Sequence, residues 1–131
     1  TSRMALHYVH DLAAVCKAAH RALVPGGRLL FSVVHPVLSA SDQPIEGPRT
    51  DQLVDDYFVP GPRERQWFNR PVTWYHRTVE QYITTLIKNS FAIDGLREGE
   101  PVEALFDGDR AEFQRRQRVP VFLIINARRV A

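Results

Sequence analysis

Leu23-Val24-Pro25-Gly26-Gly27-Arg28-Leu29-Leu30-Phe31-Ser32-Val33-Val34 holds a helix stop, a turn and a strand in immediate succession, and it sets the frame for the rest of the chain. From Arg28 to Val34 the run is short and, apart from Ser32, apolar on both alternating faces, the pattern of a strand covered by helices on both sides of a parallel sheet. Pro25-Gly26-Gly27 cannot continue a helix and turns the chain. Upstream, Leu12, Val15, Cys16, Ala19 and Leu23 fall at helical spacing behind Asp11, whose carboxylate suits an N-cap, and His20 and Arg21 sit in the last turn, where a positive or polar group suits the carbonyl end. Downstream, the strand ends at His35-Pro36. Ligands of open α/β sheets collect outside the carboxyl ends of the strands, so polar residues there are site candidates.

Pro36 to His76 carries six of the nine prolines and no sustained helical period. So long an irregular segment within a compact domain points to a cap over a site. Inside it, Tyr57-Phe58-Val59 and Val72-Thr73-Trp74-Tyr75 are expected to form a short irregular hairpin, with Pro60-Gly61-Pro62 between them. Thr78-Val79-Glu80-Gln81 fits a capping box, and Val79, Tyr82, Ile83, Leu86 and Ile87 continue it as a helix that ends at Asn89-Ser90, since asparagine tolerates the left-handed conformation. A strand from Phe91 to about Arg97, a short polar helix or loop over 109–117 and a closing strand from Val119 to Ala127 complete the order. That last strand is apolar enough to be central, with Pro120 near its beginning, where a missing donor is tolerable.

The 131 residues, 44% hydrophobic and 24% charged, suit one globular domain rather than a disordered chain. Seventeen basic residues against fifteen acidic ones leave a formal charge of +2, too little to imply a nucleic-acid partner. Arg115, Arg116, Arg118, Arg128 and Arg129 lie among acidic residues such as Asp109 and Glu112 and are expected to be a solvated face. The single Cys16 sits on the apolar face of its helix as a core residue, and no Cys/His cluster has metal-site spacing. No apolar run is long enough to cross a bilayer and no signal-like start appears, so a cytoplasmic protein without a membrane partner is expected.

Four segments resemble, in order and spacing, the second half of class I S-adenosylmethionine-dependent methyltransferases of the broad bacterial, type 11-like group. They are Ser2-Arg3-Met4-Ala5-Leu6-His7-Tyr8-Val9-His10-Asp11, the Leu23 to Ser32 stretch, His76-Arg77-Thr78 opening a helix that leads to Ser90-Phe91, and the closing apolar strand. The resemblance implies the C-terminal portion of a Rossmann-like α/β sheet. It would hold the fifth strand, a closing antiparallel strand pair whose last member inserts centrally, flanking helices and a substrate cap over 36–76. The chain has no G-x-G-x-x-G, so residues 1–131 are expected to be a single partial domain, inactive alone, with most of the S-adenosylmethionine site in a missing N-terminal half. The alternative is a non-catalytic interaction module. In it the unpaired flank of the 28–34 strand joins another chain, including a copy of itself as a homo-oligomer.

Methyl transfer needs donor and acceptor held in line and, for some acceptors, a base. His7, His35 and His76 fall in segments expected at the ligand end of the sheet and are the candidates for acid/base work, against a structural reading of each. His10 and His20 read as exposed. The resemblance makes Ser2, Arg3 and Met4 candidate cofactor contacts. Tyr57, Trp67, Trp74 and Tyr75 cluster in the cap, either walling off a small-molecule substrate or forming the cap's own core.

Overall fold

The computed structural model describes residues 1–46 and 51–131. Its elements are β1 (Ser2–Arg3), a 3-10 turn (Leu6–Tyr8), α1 (Leu12–Ala22), β2 (Arg28–Val34), the short α2 (Pro36–Ser39), β3 (Gly61–Trp67) and β4 (Arg70–His76). They continue as α3 (Val79–Lys88), β5 (Phe91–Arg97), a second 3-10 turn (Glu103–Phe106), α4 (Arg110–Arg118) and β6 (Phe122–Arg129). One open mixed sheet runs in the order β1-β2-β6-β5, with β1 parallel to β2 and β6 antiparallel to both its neighbours; β3 and β4 form a separate hairpin. The last strand therefore inserts between two earlier ones, as its apolar sequence implied.

Asp11 caps α1 by accepting the Ala14 N–H at 2.9 Å, a contact of the kind that contributes about 1 kcal/mol. Thr78 and Gln81 cap α3 reciprocally, as the capping box required. Leu12 and Cys16 of α1 and Tyr82 and Leu86 of α3 pack on Phe31, Val33, Leu123, Ile125 and Ala127. Residues opposite each other in antiparallel register share a face, so the pairs Leu29–Ala127, Phe31–Ile125 and Val33–Leu123 make one continuous apolar surface for the two helices. Each large side chain removed from water there contributes about 1.5–3 kcal/mol. Leu30 on the other face is 42% exposed, so the expectation of helices on both sides of β2 holds for one side only among the described residues. The apolar alternation says what wants burial, not what covers it.

Gly26 takes φ +78°, and the turn is clipped to the end of β6: Gly26 N–H donates to the Arg129 carbonyl and Arg129 N–H to the Gly27 carbonyl at 2.8 Å. A Cβ at Gly27 would stand 2.8 Å from the Val24 carbonyl oxygen. Gly27→Ala is therefore expected to lower the stability in urea unfolding by about 1–3 kcal/mol. An unchanged midpoint would mean that the turn relaxes freely.

Several sequence expectations are corrected. The hairpin pairs Gly61–Trp67 with Arg70–His76 around Phe68-Asn69, both left-handed at φ 48° and 58°, as a tight two-residue hairpin turn requires. Pro60-Gly61-Pro62 leads into β3 instead of turning the hairpin, and Tyr57-Phe58 lies in a turn before it. The closing strand begins at Phe122, not Val119, because Val119 N–H still bonds to Arg115 of α4, and it runs on to Arg129. After α3 the left-handed residue is Ser90, at φ 62°, and not Asn89. The flank of β2 expected to be bare is partly paired, since Ser2 and Arg3 lie beside Phe31 and Ser32. The part of the expected cap that holds Pro48 lies outside the described residues. No helix among them is long and apolar enough to cross a membrane.

Candidate functional site

His7 and His35 meet at the end of β2 and His76 lies against α2, which follows it, and each has its accepting nitrogen occupied. His7 is 2% exposed, and its Nδ1 accepts the Val34 N–H at 3.3 Å, which leaves the proton of the neutral ring on Nε2. Burial, helped by the nearby Arg77 guanidinium, pushes its pKa down to about 4. A ring so hard to protonate is a hydrogen-bond donor through Nε2 and a poor base. His35 accepts the Val37 N–H on Nδ1 at 3.1 Å, capping α2, and its Nε2 reaches Glu98 Oε1 at 2.8 Å. His76 is fully buried: Nε2 donates to the Tyr57 carbonyl at 2.7 Å, and Nδ1 takes the Ser39 hydroxyl at 2.7 Å. Burial holds its pKa below the ordinary histidine value. These contacts make His76 a clamp between α2, the segment before β3 and the end of β4.

The four cap aromatics divide. Tyr57 packs on His76 with ring centroids 5.5 Å apart, and Tyr75 packs edge-on against the exposed His10 at 5.3 Å. Trp67 and Trp74 instead line a cavity of about 230 Å³. Its other walls are Met4, which follows β1, Val34, the last residue of β2, Val121 just ahead of β6, Leu38 of α2, Ile45, and the side chains of Arg65, Arg115 and Arg116. It thus lies at the carboxyl ends of the two parallel strands, where open α/β sheets place their ligands. His7 sits just behind the wall, T-shaped to Trp74 at 5.6 Å and bonded to Val34.

Of the candidate cofactor contacts, Ser2 and Arg3 form β1. Met4 takes φ 52° with its N–H bonded to the Ser32 carbonyl at 2.9 Å, which turns its half-buried side chain to the cavity. Four arginines have roles that the sequence does not announce. Arg65, 3% exposed, lies over the Trp74 ring at 4.8 Å and donates to the Leu38 and Gln43 carbonyls, tying the cap to the hairpin. Arg77 reaches the Leu6, Val9 and His10 carbonyls, fixing the segment that carries His7. Arg115 and Arg116, expected on a solvated face, are half-buried on the cavity wall, where both bind Glu112 and hold its carboxyl down to about pKa 2. Arg118 and Arg128 do face solvent, and Arg129 caps the end of α1 at Leu23. His20, expected to be exposed, is half-buried against Phe91. Cys16 is in the core, and burial pushes its thiol up to about 11.

No family model matches the chain. An uncharacterized protein of Haemophilus influenzae is 30% identical over 136 residues, which cover 99% of this chain and 53% of that protein, so the chain spans about half the length of the curated relative it matches. Among solved structures, a "putative S-adenosylmethionine dependent methyltransferase" from Listeria monocytogenes matches with a TM-score of 0.85 and 36% identity, over 98% of this chain and 60% of that one. An S-adenosylmethionine dependent methyltransferase from Mesorhizobium loti matches with a TM-score of 0.84 and 38% identity, over 97% of this chain and 59% of that one. In fold and in sequence, then, the chain corresponds to a part of S-adenosylmethionine-dependent methyltransferase structures, 59–60% of the length of each of these two.

Proposed function

We propose that the chain supplies the acceptor side of an S-adenosylmethionine-dependent methyltransferase that acts on a small molecule. The observation that carries this reading is the Trp67/Trp74 cavity opening at Met4 and Val34, at the carboxyl ends of the parallel strands of a methyltransferase-like sheet. The residues present fit the cofactor's reactive end: Met4 offers a fixed apolar wall beside the cavity, with Ser2 and Arg3 next to it, and these three would hold the cofactor from this chain. When bound, S-adenosylmethionine supplies an electrophilic methyl group, to whose carbon the acceptor's lone pair bonds while the carbon–sulfur electron pair stays on sulfur.

The chain's own contribution is to position the acceptor and keep water away, which converts an encounter in solution into an in-line approach. Trp67, Trp74 and Leu38 provide the enclosure, and His7 Nε2–H is a donor held just behind it. His7, His35 and His76 all have their lone pairs engaged, so the fitting acceptor is one already ionised near neutral pH or one that gives its proton to solvent. The chain alone is inactive in this reading. Calorimetric titration of S-adenosylmethionine into the full product of the reading frame that encodes the chain is expected to give saturable binding. A full product that binds none would overturn the proposal.

A further inference from the structure

We infer that the cavity takes a small, mostly apolar acceptor carrying one anionic group, set against Arg116. Its volume of about 230 Å³ is below the ~300–1,000 Å³ usual for ligand pockets, which limits the occupant to a compact molecule. The body of such a molecule meets Trp67 and Trp74, while every charged side chain on the wall is an arginine.

The charge on that wall is uneven. Arg115 grips Glu112 bidentately, at 2.9 and 2.8 Å, whereas Arg116 reaches the same carboxylate only through Nε, at 2.9 Å. Two guanidiniums sharing one carboxylate leave one positive charge over. The Nη groups of Arg116 have no hydrogen-bond partner among the described residues; the guanidinium lies 5.9 and 6.0 Å from the ring centres of Phe106 and Phe122, which line an adjoining cavity, so Arg116 stands on the wall that the two cavities share. A planar fork with free donors beside an apolar cavity is suited to a carboxylate or a similar oxyanion. Glu112, held ionised, repels an incoming anion and disfavours one of higher charge.

The protein has two tryptophans, and both line the cavity, so intrinsic fluorescence reports directly on its occupation. The chain is titrated with 3-phenylpropionate and with its uncharged isostere 3-phenylpropanamide. The acid is expected to bind about tenfold tighter or better, as a charge-assisted contact gives. Arg116→Gln is expected to erase that difference, leaving the Arg115–Glu112 pair intact, and Glu112→Gln to widen it. Opposite shifts from two substitutions one helical turn apart separate charge from folding. Equal binding of acid and amide, a preference that survives Arg116→Gln, or no saturable change at millimolar probe would each overturn the inference.

That the bound anion is the methyl acceptor rests on the methyltransferase reading, but the anion preference does not. A full-length product that failed to bind S-adenosylmethionine would leave this titration standing, and loss of the preference would leave the cofactor result standing.

Discussion

Acidification from pH 7 to pH 4 is expected to remove about 3 kcal/mol of folding stability through His7 alone, since its pKa falls from 6.5 to about 4 on folding and each unit is worth about 1.4 kcal/mol. With the folded value depressed, the unfolded chain takes up its proton first as pH drops. The contribution is therefore complete above about pH 6.5 and is lost as pH falls toward 4. His76 shifts in the same direction and adds to the slope. Glu112, depressed from 4.5 to about 2, begins to lose its contribution only at the acid end of this window and loses the rest below it, so a comparison made down to pH 4.5 isolates the histidines best. Against total stabilities of about 5–15 kcal/mol for small domains, the loss is large enough to see as a falling urea midpoint between pH 7 and pH 4.5. His7→Asn, whose carbonyl can still accept the Val34 N–H, should flatten much of that fall. An identical slope in the variant would mean that His7 is not the group being titrated.

Trp74→Ala should destabilise the chain by about 3–5 kcal/mol, the range for deleting a buried tryptophan. The indole is 5% exposed, edge-on to His7 and stacked under Arg65, so its loss opens a void between the cap and the sheet end. Trp74→Phe should cost far less than its loss of volume implies. The indole N–H is buried with no hydrogen-bond partner among the described residues, and an unsatisfied donor of this kind costs about 1–3 kcal/mol, which phenylalanine does not incur. Denaturant unfolding of the two variants gives the comparison. If phenylalanine proves as damaging as alanine, the N–H has a partner in solution, such as water or a bound molecule.

The sheet was legible because its signals are local and mutually consistent. Asp11, the helical stripe, Pro25-Gly26-Gly27 and the apolar 28–34 run each specify a boundary, and the resemblance supplied the order in which β6 inserts. The hairpin was misregistered because its turn uses Phe68 and Asn69 in left-handed conformations. Phenylalanine gives no turn signal, whereas Pro60-Gly61-Pro62 gives a strong one that is spent entering β3. His7 and His35 lie at the end of β2, whereas His76 closes the separate hairpin and packs against α2. Their roles were not legible, because which nitrogen is free depends on backbone donors such as Val34 and Val37 that no sequence pattern announces. Arg115 and Arg116 were hidden for a different reason: a helix reading Arg-Ala-Glu-Phe-Gln-Arg-Arg-Gln-Arg looks solvated, and only its placement against β6 and the cap turns two of its arginines toward a cavity.

The most direct test of the central claim is a crystal structure of the full reading-frame product with S-adenosylhomocysteine, read for the position of the thioether sulfur. The sulfur is expected at the mouth of the Trp67/Trp74 cavity, beside Met4 and Val34, where a methyl group would point at an enclosed acceptor. A sulfur bound away from that mouth, with the cavity closed off from it, would contradict the assignment of this chain as the acceptor side of a methyltransferase.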